Sequence, residues 1–149
     1  MNIINFRDMT NDAIQDGIIE EFSMFDDWLD KYDYLISLAE SLPVIDPSKR
    51  TERYLIEGCQ SRVWVSAEVV DGKMYYTADS DAVITKGIIA LLIRVMNGRT
   101  PDEAAHIDLY FVDAIGLGEN LSPTRSNGLR AMIQQMKLDA LIMTRNVNK

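Results

Sequence analysis

An Asp71-Gly72 pair in the middle of the chain constrains the fold more than any other feature. It separates two stretches, residues 63–70 and 73–78, in which side chains alternate between apolar and polar as they do in β-strands. Asp and Gly both tolerate the positive φ that a two-residue hairpin turn requires. The sequence therefore predicts an antiparallel hairpin, and a weaker strand pattern in residues 53–57 predicts a third strand beside it.

Helical periodicity precedes this hairpin. Apolar side chains recur at spacings of three and four in residues 14–25 and again in residues 28–39, with acidic residues between them. Pro43 ends the second run, and residues 43–51 have the prolines and polar side chains of a loop. Two N-terminal helices are thus expected before the sheet.

Helical periodicity also follows the hairpin. It returns in residues 83–95, and Gly98 is placed to end that helix at its C′ position. Thr100 and Glu103 have the spacing of a capping box, and Pro101 stands at the first helical position, so a short helix is predicted to begin there. A further short helix is expected at residues 109–115. Helices on both sides of a small antiparallel sheet of about three strands indicate an α+β fold.

The ends of the chain complete this picture. Residues 120–127 contain a proline and several turn-forming residues, so a loop is expected before a final helix built on residues 129–140. We interpret residues 1–149 as a single domain, with residues 1–20 forming an N-terminal extension or helix. Residues 144–149 are expected to be a flexible tail.

Composition and charge exclude several classes of function. With 47% hydrophobic and 26% charged residues, the 149-residue chain has the composition of a globular domain. Its net charge of −8 argues against binding to nucleic acid or anionic lipid. Residues 1–46 hold 11 acids against Arg7 and Lys31, a balance of −9, so residues 47–149 balance at +1. The acidic half is either a solvated face or a surface that attracts a basic partner.

Localisation follows from two further features. The N-terminus lacks a basic region followed by an apolar run, which argues against a secretory signal. The longest strongly apolar stretch, residues 87–96, is interrupted by Arg94 and is far shorter than the roughly 20 residues that span a bilayer. A single Cys excludes an intramolecular disulfide. We therefore expect a cytoplasmic protein that does not enter the membrane.

Cys59 is the residue most open to a chemical interpretation. Gly58 precedes it and permits an unusual backbone conformation, and the polar residues Gln60, Ser61 and Arg62 follow it. These neighbours favour a position at the entrance of a strand over one deep in a core. A small buried hydrophobe and a reactive thiol both remain possible. A reactive thiol needs a nearby cation or a helix N-terminus to lower its pKa.

Other catalytic arrangements have little support. His106 is the sole histidine, and a cysteine hydrolase would need it as the general base of Cys59. Asp79 and Asp81 are potential metal ligands, but their local position favours capping of the helix that follows. The sequence contains neither a Walker loop nor a dinucleotide-binding fingerprint. We therefore expect no cofactor and no metal.

Three sequence blocks around and beyond Cys59 together resemble the SufE family, with its sister form CsdE. These proteins accept sulfur from cysteine desulfurases during iron–sulfur cluster assembly. The blocks are Ile-Glu-Gly-Cys-Gln-Ser-Arg-Val-Trp-Val at residues 56–65, Asp-Ser-Asp-Ala with the Ile-Thr-Lys-Gly stretch at residues 79–90, and Leu-Ser-Pro-Thr-Arg-Ser-Asn-Gly-Leu at residues 121–129. The resemblance extends over roughly residues 20–140 in the same order.

The resemblance implies a function. Cys59 would take the persulfide sulfur from a SufS-like cysteine desulfurase, stimulate that enzyme, and pass the sulfur to a SufBCD-like scaffold. The protein would then be a stoichiometric carrier and desulfurase activator and not an enzyme. The alternative is an adaptor with the same fold and a non-catalytic cysteine.

The resemblance also implies site residues. Gly58, Gln60, Ser61 and Arg62 would form the loop that supports Cys59. Asp79, Asp81 and Arg125 would contact that loop or the partner; for Arg125 an ion pair that anchors the last helix is the alternative. Arg62 departs from the family pattern as a cation close to the thiol, and it would favour the thiolate if its side chain reached Cys59.

Overall fold

A computed structural model describes residues 10–147 of the chain. Seven α-helices and two β-strands in this part of the chain follow the order α1 (Asn11–Ser23), α2 (Trp28–Leu38), β1 (Val63–Val70), β2 (Lys73–Ser80), α3 (Val83–Met96), α4 (Pro101–His106), α5 (Phe111–Ala114), α6 (Leu117–Asn120) and α7 (Pro123–Val147). Short 3-10 turns lie at Ala39–Ser41, Pro47–Lys49 and Glu52–Tyr54. The α+β prediction is confirmed.

The predicted hairpin is confirmed as the whole of the sheet. β1 and β2 pair antiparallel in a register that runs from Val63 opposite Ser80 to Val70 opposite Lys73. Asp71 has a φ of 52° and Gly72 a φ of 78°, so both turn residues adopt the left-handed conformation that the pair was expected to supply. β2 continues two residues beyond the predicted end at Ala78.

The predicted third strand is wrong. Residues 53–57 begin in a 3-10 turn, and their pairing with β1 is reduced to an isolated bridge between Leu55 and Trp64. The chain cannot extend the pairing because it turns at Gly58, where φ is 93°. The far edge of β2 is instead bridged by Val44, which pairs with Ala78.

Helix α3 is the centre of the molecule, and it lies against both the sheet and α2. Ten of its 14 residues are buried, which explains its nearly continuous apolar sequence. Gly87 allows the close approach of α2, because a Cβ at this position would lie 2.0 Å from the carbonyl oxygen of Leu35. Gly98 follows the end of α3 with a φ of 83°, as predicted. The capping box of α4 is also confirmed at Thr100 and Glu103.

The last helix is longer at both ends than the sequence predicts. It begins at Pro123, so the expected loop at residues 120–127 is largely helical. Ser122 caps it, because its Oγ accepts a hydrogen bond from the Arg125 N–H at 3.3 Å and Pro123 occupies the first helical position. At the other end the backbone is helical to Val147, which corrects the predicted tail over residues 144–147.

The outermost residues of the chain lie outside the described part. These are residues 1–9, which belong to the predicted N-terminal extension, and residues 148–149. Within the extension, the structure places a helix from Asn11 onward, and this helix ends at Ser23, two residues before the end of the predicted run. Thr10 caps this helix by accepting a hydrogen bond from the Ala13 N–H at 3.2 Å.

Candidate functional site

Cys59 lies on a short loop that rests on the first half of α7. Gly58 adopts a φ of 93°, and a Cβ at this residue would lie 3.3 Å from the Cβ of Ala131. Gly128, also on α7, faces the cysteine so closely that a Cβ there would lie 3.5 Å from the Cys59 Sγ. Two glycines therefore bring the cysteine loop into direct contact with the helix.

Hydrogen bonds fasten both ends of this loop to the hairpin. On the entering side, the Ile56 N–H donates to the Val63 carbonyl at 2.8 Å. On the leaving side, the Arg62 N–H donates to the Asp81 Oδ1 at 3.1 Å, and the Ser80 Oγ donates to the Arg62 carbonyl at 2.7 Å. The Asp81 N–H donates to the same carbonyl at 3.3 Å. Residues 57–61 between these anchors make up the cysteine loop.

The Cys59 side chain opens into a cavity of about 320 Å³ between the cysteine loop, α3 and the beginning of α7. Its lining residues are Cys59, Gln60, Ser61, Thr85, Ile88, Ser122, Thr124, Arg125, Gly128 and Met132. Ile88 and Met132 are buried apolar residues of this lining, whereas most of the other lining residues are polar. The cavity is large enough for a small group attached to the sulfur.

The thiol is half-buried and held in its neutral form. Burial raises the pKa of the Cys59 thiol above its ordinary value, because desolvation disfavours the thiolate. Its S–H donates to the Gly128 carbonyl at 3.6 Å. The Arg62 side chain is exposed, lines a separate groove beside Trp64 and does not line the Cys59 cavity.

Asp79 has a different role from the predicted helix cap. It is 3% exposed and forms ion pairs with Arg50 and with Lys86, the latter at 3.4 Å. Its Oδ1 also accepts a hydrogen bond from the Ser80 N–H at 2.8 Å. These contacts tie the segment around Arg50 to the hairpin and to α3, and they satisfy a buried charge that would otherwise be costly.

Asp81 does not cap α3 either. The N-cap position is occupied by Ala82, whose N–H donates to the Ser80 Oγ at 3.2 Å. Asp81 is exposed and directs its carboxylate to the Arg62 N–H at the end of the cysteine loop. The prediction that Asp79 and Asp81 cap α3 is therefore wrong, because β2 continues through Asp79 to Ser80 and α3 begins only after Ala82.

Comparison with known proteins assigns the chain to a family. Residues 16–140 match the family model of SufE, described as an Fe-S metabolism associated domain. The chain belongs to the SufE family. An uncharacterized SufE-like protein of Rhizobium etli is 38% identical over 135 residues, which cover 87% of this chain and 91% of the relative.

Further SufE relatives and a solved structure agree. An uncharacterized SufE-like protein of Rhizobium meliloti is 36% identical, covering 84% of this chain and 93% of its own. An uncharacterized SufE-like protein of Synechocystis is 34% identical, and the match covers 83% of this chain and 78% of the relative. The solution structure of a hypothetical protein from Thermus thermophilus has the same fold, with a TM-score of 0.71 at 23% identity over 86% of this chain and 93% of that one. Membership in the SufE family implies a sulfur-transfer role in iron–sulfur metabolism.

The residues that the SufE resemblance singled out are only partly brought together. Cys59, Gln60, Ser61 and Arg125 line one cavity, and Gly58 shapes the loop beneath it. Asp79, Asp81 and Arg62 are absent from its lining and lie on the hairpin side of the loop. The site therefore consists of a cavity and of a separate set of anchors for the cysteine loop.

The hydrolase interpretation has no geometric support. His106 is exposed at the end of α4, where its Nδ1 lies 2.9 Å from the Asp102 carbonyl oxygen, and it does not line the Cys59 cavity.

Among residues 10–147, no cluster of three or more His, Cys, Asp or Glu side chains is placed to hold a metal ion. No helix in the same range has the length and apolar character needed to cross a membrane.

Six residues that line the cavity were not among the predicted site residues: Thr85, Ile88, Ser122, Thr124, Gly128 and Met132. Gly128 was part of a matched sequence block, but its contact with Cys59 depends on the helix beginning at Pro123. Thr85 was also part of a matched sequence block, but no role was predicted for it. A polar residue on the apolar side of a helix was the signal available for Thr85, because it is 8% exposed among buried aliphatic neighbours.

Proposed function

We propose that Cys59 accepts sulfur from the persulfide of a cysteine desulfurase and passes it to an iron–sulfur assembly scaffold, and that the removal of sulfur stimulates the desulfurase. The observation that carries this proposal is the placement of the single thiol of a SufE-family chain on a loop that Gly58 and Gly128 bring into contact with α7, above a partly polar cavity. A chain with one cysteine cannot release the sulfur by forming an internal disulfide.

The transfer is a thiol–disulfide type exchange. The Cys59 thiolate attacks the terminal sulfur of the desulfurase persulfide, a bond forms between the Cys59 Sγ and that sulfur, and the bond to the desulfurase sulfur breaks. The electron pair of the broken bond leaves with the desulfurase as its thiolate. Transfer onward to a scaffold thiol repeats the same exchange and restores Cys59, so the carrier needs no external oxidant or reductant.

The resting geometry explains why this exchange requires a partner. The raised pKa of Cys59 keeps the thiol protonated at neutral pH, and its S–H is bound to Gly128. A protonated, half-buried sulfur is a poor nucleophile. The cysteine loop must therefore turn outward before it reacts, and the hydrogen bond between Asp81 and the Arg62 N–H opposes this movement.

Replacing Asp81 by Ala is expected to expose Cys59. Without the carboxylate, one end of the loop loses a hydrogen bond to a charged group, which contributes about 1.5–3 kcal/mol. We expect iodoacetamide to label Cys59 about tenfold faster at pH 7 than in the unmodified protein. The pH midpoint of labelling should also fall toward that of a free cysteine, because the thiolate is no longer desolvated.

Asp113→Ala is the matched control, because Asp113 is an exposed acid on α5, away from the loop. Its labelling should follow that of the unmodified protein. Equal labelling in the Asp81→Ala and Asp113→Ala variants would show that Asp81 does not hold the loop closed.

Arg125 is positioned for the partner. It is exposed at the edge of the Cys59 cavity, in the first turn of α7, and it makes no ion pair among the described residues. Arg125→Glu is expected to weaken binding to the desulfurase about tenfold or more, because it reverses the charge at the edge of the cavity where we propose that the partner binds. Isothermal titration calorimetry measures the dissociation constant.

Arg130→Glu is the control for this experiment. Arg130 is an exposed cation on the same helix, but it does not line the cavity. The Arg130→Glu variant changes the net charge by the same two units as Arg125→Glu. Any loss of affinity that both variants share is therefore a general charge effect. An affinity equal to that of the unmodified protein in Arg125→Glu would contradict the proposed contact.

A further inference from the structure

Thr85 stands out among the hydroxyl groups of the structure. It lies in the first turn of α3, is 8% exposed, and lines the same cavity as Cys59. A threonine in a helix commonly satisfies its hydroxyl by donating to the carbonyl four residues earlier, as Thr144 does to Ala140 at 3.0 Å. The Thr85 hydroxyl has no hydrogen-bond partner among residues 10–147.

The Thr85 hydroxyl is not fully enclosed by the protein. The described residues include no fully enclosed side-chain oxygen or nitrogen that lacks a partner. Since the hydroxyl has no partner, it retains accessible surface, and Thr85 is one of the residues that line the Cys59 cavity. A hydroxyl with no protein partner can therefore donate a hydrogen bond to a group that enters the cavity.

The rest of the wall favours an anionic occupant. Ser122, Thr124 and Arg125 bring the N-terminus of the 25-residue helix α7 to the cavity, where the helix dipole and the guanidinium both favour negative charge. Ile88 and Met132 give the interior an apolar surface suited to a large, polarisable atom. The terminal sulfur of a persulfide combines these two properties, since it is large and carries a negative charge when deprotonated.

We propose that Thr85 is a positioning residue for the sulfur-loaded state, in which its hydroxyl donates a hydrogen bond to the terminal sulfur of the Cys59 persulfide inside the cavity. This inference rests on the proposed carrier function and adds a residue that positions the bound sulfur. The terminal sulfur lies about 2.05 Å beyond the Sγ, so the loaded side chain needs only one further atom of space. A cavity of about 320 Å³ provides that space.

The hydrogen bond has a functional consequence. It stabilises the inward position of the loaded side chain and withholds the sulfur from small nucleophiles until the cysteine loop is turned out by a partner. The resting thiol does not use this hydroxyl, because its own S–H donates to the Gly128 carbonyl. Loss of the hydroxyl should therefore change the loaded state and leave the resting state unchanged.

The test begins with chemical loading. The unmodified protein, Thr85→Val and Thr85→Ser are treated with glutathione persulfide, and a mass gain of about 32 Da on Cys59 is measured for each by intact mass spectrometry. After the donor is removed, potassium cyanide is added. Cyanide attacks the terminal sulfur, forms thiocyanate and leaves the Cys59 thiolate, so the loss of about 32 Da follows the exposure of the sulfur over time.

The valine variant retains the shape of Thr85 and lacks the hydroxyl. We expect it to lose sulfur to cyanide about tenfold faster than the unmodified protein, while Thr85→Ser stays within about threefold. Iodoacetamide labelling of the unloaded thiol should be the same in all three. Thr144→Val removes a helix hydroxyl that does not line the cavity and should leave the rate of sulfur loss unchanged.

Equal rates of sulfur loss in Thr85→Val and the unmodified protein would overturn the inference. Thr85→Ala compared with Thr85→Ser provides a second pair that differs only in the hydroxyl, should the valine variant fold poorly. Loading by a cysteine desulfurase and L-cysteine is measured separately. If the desulfurase loads Cys59 but the hydroxyl has no effect, only this inference fails; if glutathione persulfide shows the effect but the desulfurase loads nothing, only the proposed donor is wrong.

Discussion

Replacing Cys59 by Ser is expected to abolish sulfur uptake completely. After incubation with a cysteine desulfurase and L-cysteine, the unmodified protein should gain about 32 Da, and a reductant should remove this mass. The variant should gain nothing, because the chain has no other thiol. Intact mass spectrometry measures both outcomes, and stimulation of the desulfurase should disappear together with the adduct.

Ser61→Ala is the matched control. Ser61 lines the same cavity on the same loop but supplies no sulfur, so its variant should still be loaded. A mass gain retained in Cys59→Ser would place the acceptor elsewhere. If the unmodified protein gains no mass beside a demonstrably active desulfurase, the adaptor with a non-catalytic cysteine becomes the better interpretation.

Gly87→Ala is expected to be the most destabilising single methyl addition in the described part of the chain. The new Cβ would lie 2.0 Å from the Leu35 carbonyl oxygen and 2.8 Å from its carbonyl carbon. Both atoms belong to the backbone of α2, so α2 must move away from α3 to avoid them. We expect the free energy of unfolding to fall by more than about 4 kcal/mol, measured by urea denaturation.

Gly17→Ala provides the comparison. Gly17 also lies inside a helix, and a Cβ there meets nothing within 4 Å. Because Ala is the better helix former, this variant should be about as stable as the unmodified protein or more stable by about 0.5–1 kcal/mol. A Gly87→Ala protein as stable as Gly17→Ala would show that the contact between α2 and α3 is looser than the structure indicates.

The accuracy of the sequence predictions depended on how far apart the interacting groups lie. The hairpin turn at Asp71 and the capping box at Thr100 were predicted correctly, because each is formed by backbone and side chains a few residues apart. Pro123 was ambiguous, since proline is common both in turns and at the first position of a helix. The choice depended on Ser122, whose hydroxyl caps the helix.

The errors at the site have a different origin. Asp79 has the sequence position of a helix cap, but the fold surrounds it with Arg50 and Lys86, which lie 29 residues before and seven residues after it. The strand predicted for residues 53–57 failed because the chain turns at Gly58 to reach α7. Neither the ion pairs of Asp79 nor the turn at Gly58 leaves a periodic pattern in the sequence.

The sequence by itself determined the hairpin, the helical periods, the single thiol and, through three matched blocks, the family to which that thiol belongs. Only the tertiary structure decided the environment of the thiol. The Gly128 carbonyl, 69 residues away in the sequence, accepts a hydrogen bond from this thiol, and Thr85 lines the same cavity. Local conformation follows from neighbouring residues, whereas burial, charge and the pKa of a thiol depend on whatever the fold brings around it.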